Sequence, residues 1–420
     1  MLLKSTALCL LFVLQTQNLQ AYTILDRQIP LDDYPPCCET CCETCCDPGC
    51  SPFWVAADYL NWKMSNSPRI PPLVFTGIYD SSVTPNLQTP GTTILLGNRT
   101  ARDQGRSGGR FTLGYNFCSG QVYGTDVNYF FLAKESRSKS VQSNDFNENK
   151  ITAQELPNNS YLAIPFFDAT TNKESSVYIA KPGTFAGKAT LKTTNWMQGA
   201  EWNFTRTVDL CCSCTNFQVS GLIGFRYWNF NDKLKFITHS PNTTTPDIFT
   251  TLDEFKTTNN FYGGQIGFDA ECVFDCFSID VKAKIALGGM NQKLVIKGSL
   301  FTNDFDNFGA VQEFSGGYLA LPTNIGNFEK TQFAYIPEVD INFRYKFVDG
   351  FTLQIGYSFL YASKVFWAEN QIDTHINPTQ SVAINRSSSA TLSGIPDPKP
   401  LKRSRDIWVQ GFNVGLEYRF

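Results

Sequence analysis

Thiols are the densest reactive groups in this chain. Seven of its 14 cysteines crowd one run, CCETCCETCCDPGC, as Cys37, Cys38, Cys41, Cys42, Cys45, Cys46 and Cys50. The others are Cys9, Cys118, Cys211, Cys212, Cys214, Cys272 and Cys276. In an exported protein such density points to disulfides, whereas in a cytosolic one it would point to zinc. Disulfide geometry requires a set separation of the two backbones, so adjacent cysteines bridge more naturally to other segments or other molecules. A zinc-binding tail is the rival, because closely spaced cysteine pairs also hold metal. No histidine completes that site, and neither a metal nor any other cofactor is expected.

Catalytic chemistry finds little material. The two histidines, His239 and His375, fall between segments of regular pattern and carry no acidic motif beside them. No Gly-x-Ser-x-Gly elbow is present. Arg106–Arg110 (RSGGR) has glycines but leads into a strand, so it is no anion cradle. The chain is therefore expected not to be an enzyme, with a hydrolase at a barrel rim as the least favoured class. Charged residues make the stronger constellation. Arg110, Asp126, Glu201, Arg226, Asp269, Glu271, Asp280, Lys282, Lys284, Glu338, Asp340, Arg344, Lys346, Glu417 and Arg419 all fall on the polar parity of alternating segments.

Strands must position them. Period-two alternation marks ten segments, at about 53–64, 109–118, 121–133, 194–206, 215–229, 261–272, 277–289, 332–347, 351–364 and 408–420. In the eighth, Phe333, Tyr335, Pro337, Val339, Ile341, Phe343, Tyr345 and Phe347 oppose Gln332, Glu338, Asp340, Asn342, Arg344 and Lys346. Pro337 cannot donate to a ladder, so it marks a bulge or a non-bonded position. The tenth alternates without a slip and ends in Phe420, a terminal aromatic that resembles the assembly signal of outer-membrane barrels. The gaps alternate as well: short after even strands, and on the order of 30 to 60 residues after odd ones, far beyond ordinary connections. Short periplasmic turns and long outer loops on an even number of strands are the layout of a bacterial outer-membrane barrel. The expected fold is all-β, an antiparallel up-and-down transmembrane barrel of ten strands, or of twelve if a hairpin hides within 136–193. Trp62, Trp196, Trp228, Trp367 and Trp408 fall near the outer strand ends, where an interfacial belt is expected.

Compartment agrees with this layout. Lys4, the apolar stretch 7–14 and Ala21 have the arrangement of a signal peptide over 1–21. Loss of Cys9 with it leaves 13 cysteines. No segment reaches the roughly 18 apolar residues of a spanning helix, so a membrane protein of this composition must cross with strands. The net charge of −3 argues against nucleic acid. Residues 22–52, rich in Asp, Glu, Pro and Cys, read as a disordered periplasmic tail, and 53–420 as the barrel. Every cysteine after residue 21 then falls on the periplasmic side.

Several blocks carry a resemblance to a known family. They are Phe53–Leu60 (FWVAADYL), Pro71–Val74, Gly91–Gly97, Gly108–Tyr115 (GGRFTLGY), Asn324–Gly326, Phe333–Glu338, Gly356–Tyr357, Ile376–Gln380 (INPTQ) and Trp408–Phe420. With these the chain resembles β-barrel porin family 7, outer-membrane barrels typical of planctomycetes. The resemblance implies a barrel of ten to twelve strands and an exported location, without established chemistry. In composition the cysteine run is similar to cysteine-rich chlamydial and planctomycete envelope proteins.

The function expected is a structural envelope component or a narrow passive pore in the bacterial outer membrane, disulfide-crosslinked on the periplasmic side. A barrel of about ten strands is barely wider than its own side chains, so its inner charges either line a pore or pair and plug it. The alternative is an adhesin or recognition protein acting through the outer loops. Expected partners are outer-membrane lipid, the barrel-assembly machinery, and a disulfide-linked second copy or other envelope proteins.

Overall fold

Alternating apolar and polar residues leave each strand with one face for lipid or core and one for water or ion pairs. In the computed structural model, ten such strands close into one antiparallel barrel. The structure describes residues 52–100, 105–117, 122–146, 156–212, 215–274, 276–303, 311–388 and 390–420. The signal-peptide stretch 1–21, the cysteine run Cys37–Cys50, Cys118 and Cys214 lie outside the described residues.

The barrel strands are β1 (Phe53–Met64), β2 (Arg106–Phe117), β3 (Tyr123–Gln142), β4 (Lys188–Cys212), β5 (Thr215–Pro241), β6 (Ile248–Phe274), β7 (Phe277–Thr302), β8 (Gly326–Val348), β9 (Phe351–Phe366) and β10 (Ser404–Arg419). Each pairs with its sequence neighbour. β1 closes the ring on β10 in continuous register, from Trp54↔Arg419 to Met64↔Val409. The Phe420 amide donates to the Phe53 carbonyl at 3.0 Å, which ties the aromatic terminus into the seam. Between β8 and β9 the ladder ends at Glu338↔Leu360, next to Pro337. Beyond it Ser363 Oγ accepts from the Tyr335 amide at 2.9 Å. The proline thus stands where no donor is required.

The outward face carries an exposed apolar band, including Val55, Phe111, Leu113, Ile223, Ile266, Leu287, Ile341, Ile355 and Val414. Aromatic pairs bound it on both sides. Phe277–Tyr345 and Phe351–Tyr418 lie towards the short turns, with ring centroids 4.8 and 4.4 Å apart. Tyr227–Tyr262 and Tyr335–Tyr361 lie towards the long connections, at 5.2 and 5.8 Å. On β8 the two girdles are separated by the run from Tyr345 to Tyr335. At roughly 3.4 Å per residue and a tilt near 40° that is about 26 Å of depth, close to the ~25 Å band of a barrel in a bilayer.

Two expectations change at the outer end. No long loop follows β5: β5 and β6 are each 27 residues long and are joined through 242–247 alone. A spanning strand needs about 9–11 residues, so β4 to β8 continue well past the girdle as an outer wall. They stay strands because the alternation continues with its polarity reversed. Leu234 and Phe236 are buried on the inward parity, while Lys233 and Lys235 on the outward parity pair with Glu254 at 3.0 and 3.2 Å. His239 accordingly lies on β5, not in a loop. The stretch 136–193 does hold a hairpin, Ser160–Asp168 with Lys173–Ala180. It joins Val74–Ile78, Thr93–Leu96 and His375–Ile376 in a second sheet of five strands outside the barrel. This sheet and the 366–404 connection share a large apolar core with the wall, including Leu73, Leu162, Phe236, Phe255, Leu294 and Leu321.

Candidate functional site: the barrel lumen

The inward face of the strands changes character with height. Nearest the short turns it is ionic. Arg110 reaches from β2 to Asp58 of β1 at 2.9 Å and across the lumen to Asp340 of β8 at 3.2 Å. The Arg226 guanidinium bridges Glu201 of β4 and Glu338 of β8. Lys284 binds the same two carboxylates at 3.0 and 3.2 Å, and Gln265 donates to Glu201 at 2.9 Å. Arg344 pairs with Asp280 at 2.8 Å and reaches Glu271 at 3.7 Å, and Lys282 pairs with Asp269 at 3.1 Å. Asp126 accepts from Asn203 at 3.0 Å. Glu417 is buried and takes the Arg419 Nε–H at 2.7 Å. Arg110–Asp340, Arg226–Glu338 and Lys284–Glu201 join strands on opposite sides of the ring, so the charges fill the cross-section rather than line it. A cavity of about 60 Å³ is left among them, bounded by Asp58, Arg110, Lys282, Asp340 and Arg344 among others. That is room for a few waters at roughly 10–15 Å³ each.

Lys346 and Arg419 stand at the open mouth, with side chains 55% and 47% exposed. Lys346 pairs with Asp349 of the turn at 3.4 Å. Asp58 is a central member that the sequence reading of charged residues overlooks. On β1 the inward face turns apolar immediately after it, at Leu60, Trp62 and Met64, and a lone acid in FWVAADYL draws no attention. Glycine makes room for it: a Cβ on Gly415 would run into the Asp58 carboxylate.

Above the ionic layer lies a dry one. Leu60, Trp62, Phe130, Met197, Trp228, Phe230, Phe261, Met290, Ile336 and Trp367 form one buried cluster inside the ring. Trp367 enters from the 366–404 connection and sets its ring 4.9 Å from Phe230. Three of the five tryptophans expected at the membrane interface, Trp62, Trp228 and Trp367, are therefore lumen core and fully buried. Only Trp196 and Trp408 keep the outward parity. The inward parity of Trp62 and Trp228 is the same as that of Asp58 and Arg226, a signal that strand-end position alone conceals.

The top of this layer is closed by polar bonds. The Phe366 amide donates to Asn259 at 2.7 Å and the Ala368 amide to Asp232 at 2.8 Å. Gln371 donates to the Arg403 carbonyl at 2.8 Å. Glu369, in the 3-10 turn Ala368–Gln371, is buried against Asp232. Further out, burial pushes Asp253 up to about 6 although it accepts from the amides of Tyr318, Leu319 and Ala320 at 3.1, 2.9 and 2.7 Å.

Other sequence candidates are far from the lumen charges. His239 Nδ1 bonds Thr250 Oγ1 at 2.8 Å, and His375 Nδ1 meets Asp373 at 3.3 Å. Asp373 also receives the His375 and Lys399 amides, at 3.1 and 2.9 Å, which is the bonding of a turn. Cys272 is buried and Cys276 exposed at the β6–β7 turn. Cys211 and Cys212, described in backbone only, end β4 on the same side. Among the described residues, no group of three His, Cys, Asp or Glu side chains is placed to hold a metal.

A family model described as Putative beta barrel porin-7 matches residues 54–420. Among solved structures, the outer membrane protease OmpT from Escherichia coli is similar at 9% identity, over 87% of this chain and 97% of that one, with a TM-score of 0.37. A Pseudomonas aeruginosa FadL homologue is similar at 7% identity, over 88% and 90%, with a TM-score of 0.22. The P. putida toluene transporter TodX is similar at 6% identity, over 88% and 90%, with a TM-score of 0.15. Likenesses this loose carry no argument. Among curated proteins none matches the chain.

Proposed function

The chain belongs to the beta barrel porin-7 family, and from that premise we propose that it is a sealed barrel of the bacterial outer membrane, structural in the envelope rather than a solute channel. One observation carries this reading: the lumen is filled twice over. Below, Arg226 and Lys284 clasp Glu201 and Glu338 from opposite walls. Above, Trp62, Trp228 and Trp367 fill the ring with apolar surface. A hydrated solute would have to break buried ion pairs and then cross a dry layer, and both steps oppose passage. The enzyme class finds no support in the histidines, which bond separately to a threonine and to a turn aspartate.

Cysteine placement adds a mechanical role. Cys211, Cys212, Cys272 and Cys276 lie at the short-turn end, where β1 also begins. With Cys9 removed by signal-peptide cleavage, the remaining 13 thiols cannot all pair within one chain, so links to neighbouring envelope proteins or to a second copy are proposed. Recognition through the outer cap is the second reading, favoured by the five-stranded sheet held above the girdle. The test is proteoliposome swelling with small sugars in mildly acidic buffer. A sealed barrel gives the rate of empty liposomes; swelling that tracks protein content refutes the reading.

A further inference from the structure

We propose that the segment Trp367–Gln371 is a proton-held plug: a carboxyl group on Glu369 shares its proton with the Asp232 carboxylate, and loss of that proton releases the segment and opens the dry layer. The inference rests on the sealed-barrel reading and adds a condition under which the seal fails.

Geometry carries it. Among the described aromatics of the dry layer, Trp367 comes from a connection and the others from barrel strands, so its departure would leave the ring closed. Its segment is held by identifiable contacts: Phe366 to Asn259 and Thr257 of β6, Ala368 to Asp232 of β5, Gln371 to Arg403 in both directions, and Ala368 in the apolar core. Asp232 is 1% exposed and Glu369 2%. Asp232 already accepts from the Lys233 and Ala368 amides at 3.0 and 2.8 Å, so it is the anion of the pair. Glu369 Oε2 has no hydrogen-bond partner. Burial, with the Asp232 charge and the bond to it, holds Glu369 protonated well above the usual carboxylate range.

Among the described residues, no cation offsets the pair. On the strands packed against the segment, Lys233, Lys235 and Glu254 pair with one another on the outer face, and Lys256 shares that outward parity. Asp253, inward on β6, is bound to the amides of residues 318–320. Arg403 takes part through its backbone, and Asp406 accepts from the Lys364 amide at 3.1 Å. When Glu369 gives its proton to solvent, two buried carboxylates face each other without compensation, and leaving the mouth hydrates Glu369.

The sign follows from linkage. The docked state binds its proton more tightly than the released one, so docking weakens as pH rises from the free-carboxylate range to the docked value, by up to tenfold per pH unit for one proton. The ionic layer below bars a hydrated solute, but a small ion can exchange along its charges past the cavity of about 60 Å³, so for ions the apolar layer is the limiting barrier.

The test is planar-bilayer recording of the full chain from about pH 5 to about pH 9, with heat-modifiable gel mobility as the check on folding. The wild type should be silent at the acid end and open more often with rising pH, by as much as about tenfold per unit. Glu369→Gln, which keeps a donor to Asp232, and Glu369→Ala, which removes the charge entirely, should each lose the pH dependence. A wild type whose conductance does not change with pH overturns the plug, as does a folded Glu369→Gln or Glu369→Ala with the wild-type slope. A wild type already open at about pH 5 refutes the sealed barrel; the plug then still stands if opening rises with pH only when Glu369 is present.

Discussion

Arginine placed at two depths on one face of β8 tests the membrane reading quantitatively. Ile341 faces outward between the girdles and is 50% exposed; Phe347 shares its face, is 48% exposed, and lies beyond Tyr345 towards the short turn. Six residues separate them, or about 20 Å along the strand and about 16 Å of depth at a tilt near 40°. A lipid-facing arginine costs about 2–4 kcal/mol at the midplane and about 0–1 near the interface. Each site is changed to Ala and to Arg, and the Arg-minus-Ala difference cancels the loss of the original side chain. Reversible urea unfolding from lipid vesicles, followed by tryptophan fluorescence, gives the stabilities. The expected differences are about 2–4 kcal/mol at 341 and about 0–1 kcal/mol at 347. Equal penalties, or a larger one at 347, would refute the assignment of this face to lipid.

Other outcomes follow from the lumen and the cap. Arg226→Met leaves Glu201 and Glu338 with Lys284 as their shared cation and should cost about 3–5 kcal/mol in the same unfolding assay; adding Glu338→Gln, which leaves the Glu201–Lys284 pair balanced, should recover most of it. Asp253, pushed up to about 6, holds its proton longer in the folded cap than in the open chain. Cap stability should therefore fall as pH rises from about 4 to about 6, by up to about 3 kcal/mol. Limited proteolysis of the 311–325 stretch reads this, and Asp253→Asn should flatten the profile. Non-reducing gels of intact envelopes should show oligomers that collapse with reductant and shrink when Cys37–Cys50 is deleted; monomers with bound zinc would assign the thiols to metal instead.

The barrel was legible because its signal is repeated. Ten alternating segments and the short gaps between pairs fix strand number and which barrel end carries the short turns without any single strong motif. What the sequence conceals is the height at which each strand changes sides. Below the upper girdle, apolar means outward, as at Ile341 and Phe343. Above it, apolar means inward, as at Leu234 and Phe236, because the outer wall meets water instead of lipid. A pattern read for lipid stops at 229 in β5, and the remaining strand passes for a loop. The same reversal hides Trp62 and Trp228 as lumen core, since aromatic residues near a strand end suit an interface equally well. Charge parity brings Glu201, Arg226, Lys284 and Glu338 to one face each, but their meeting across the ring depends on barrel radius and shear. Glu369 was beyond reach: it lies on a connection, and only the return of that connection into the mouth sets it against Asp232.

The central claim, that a dry aromatic layer seals this barrel, is tested most directly by single-channel recording at about pH 5 of the wild type beside a Trp228→Ala/Trp367→Ala double variant. A silent wild type and a leaking variant are the predicted pair. Discrete conductance steps in the wild type, or silence in a correctly folded double variant, would contradict it.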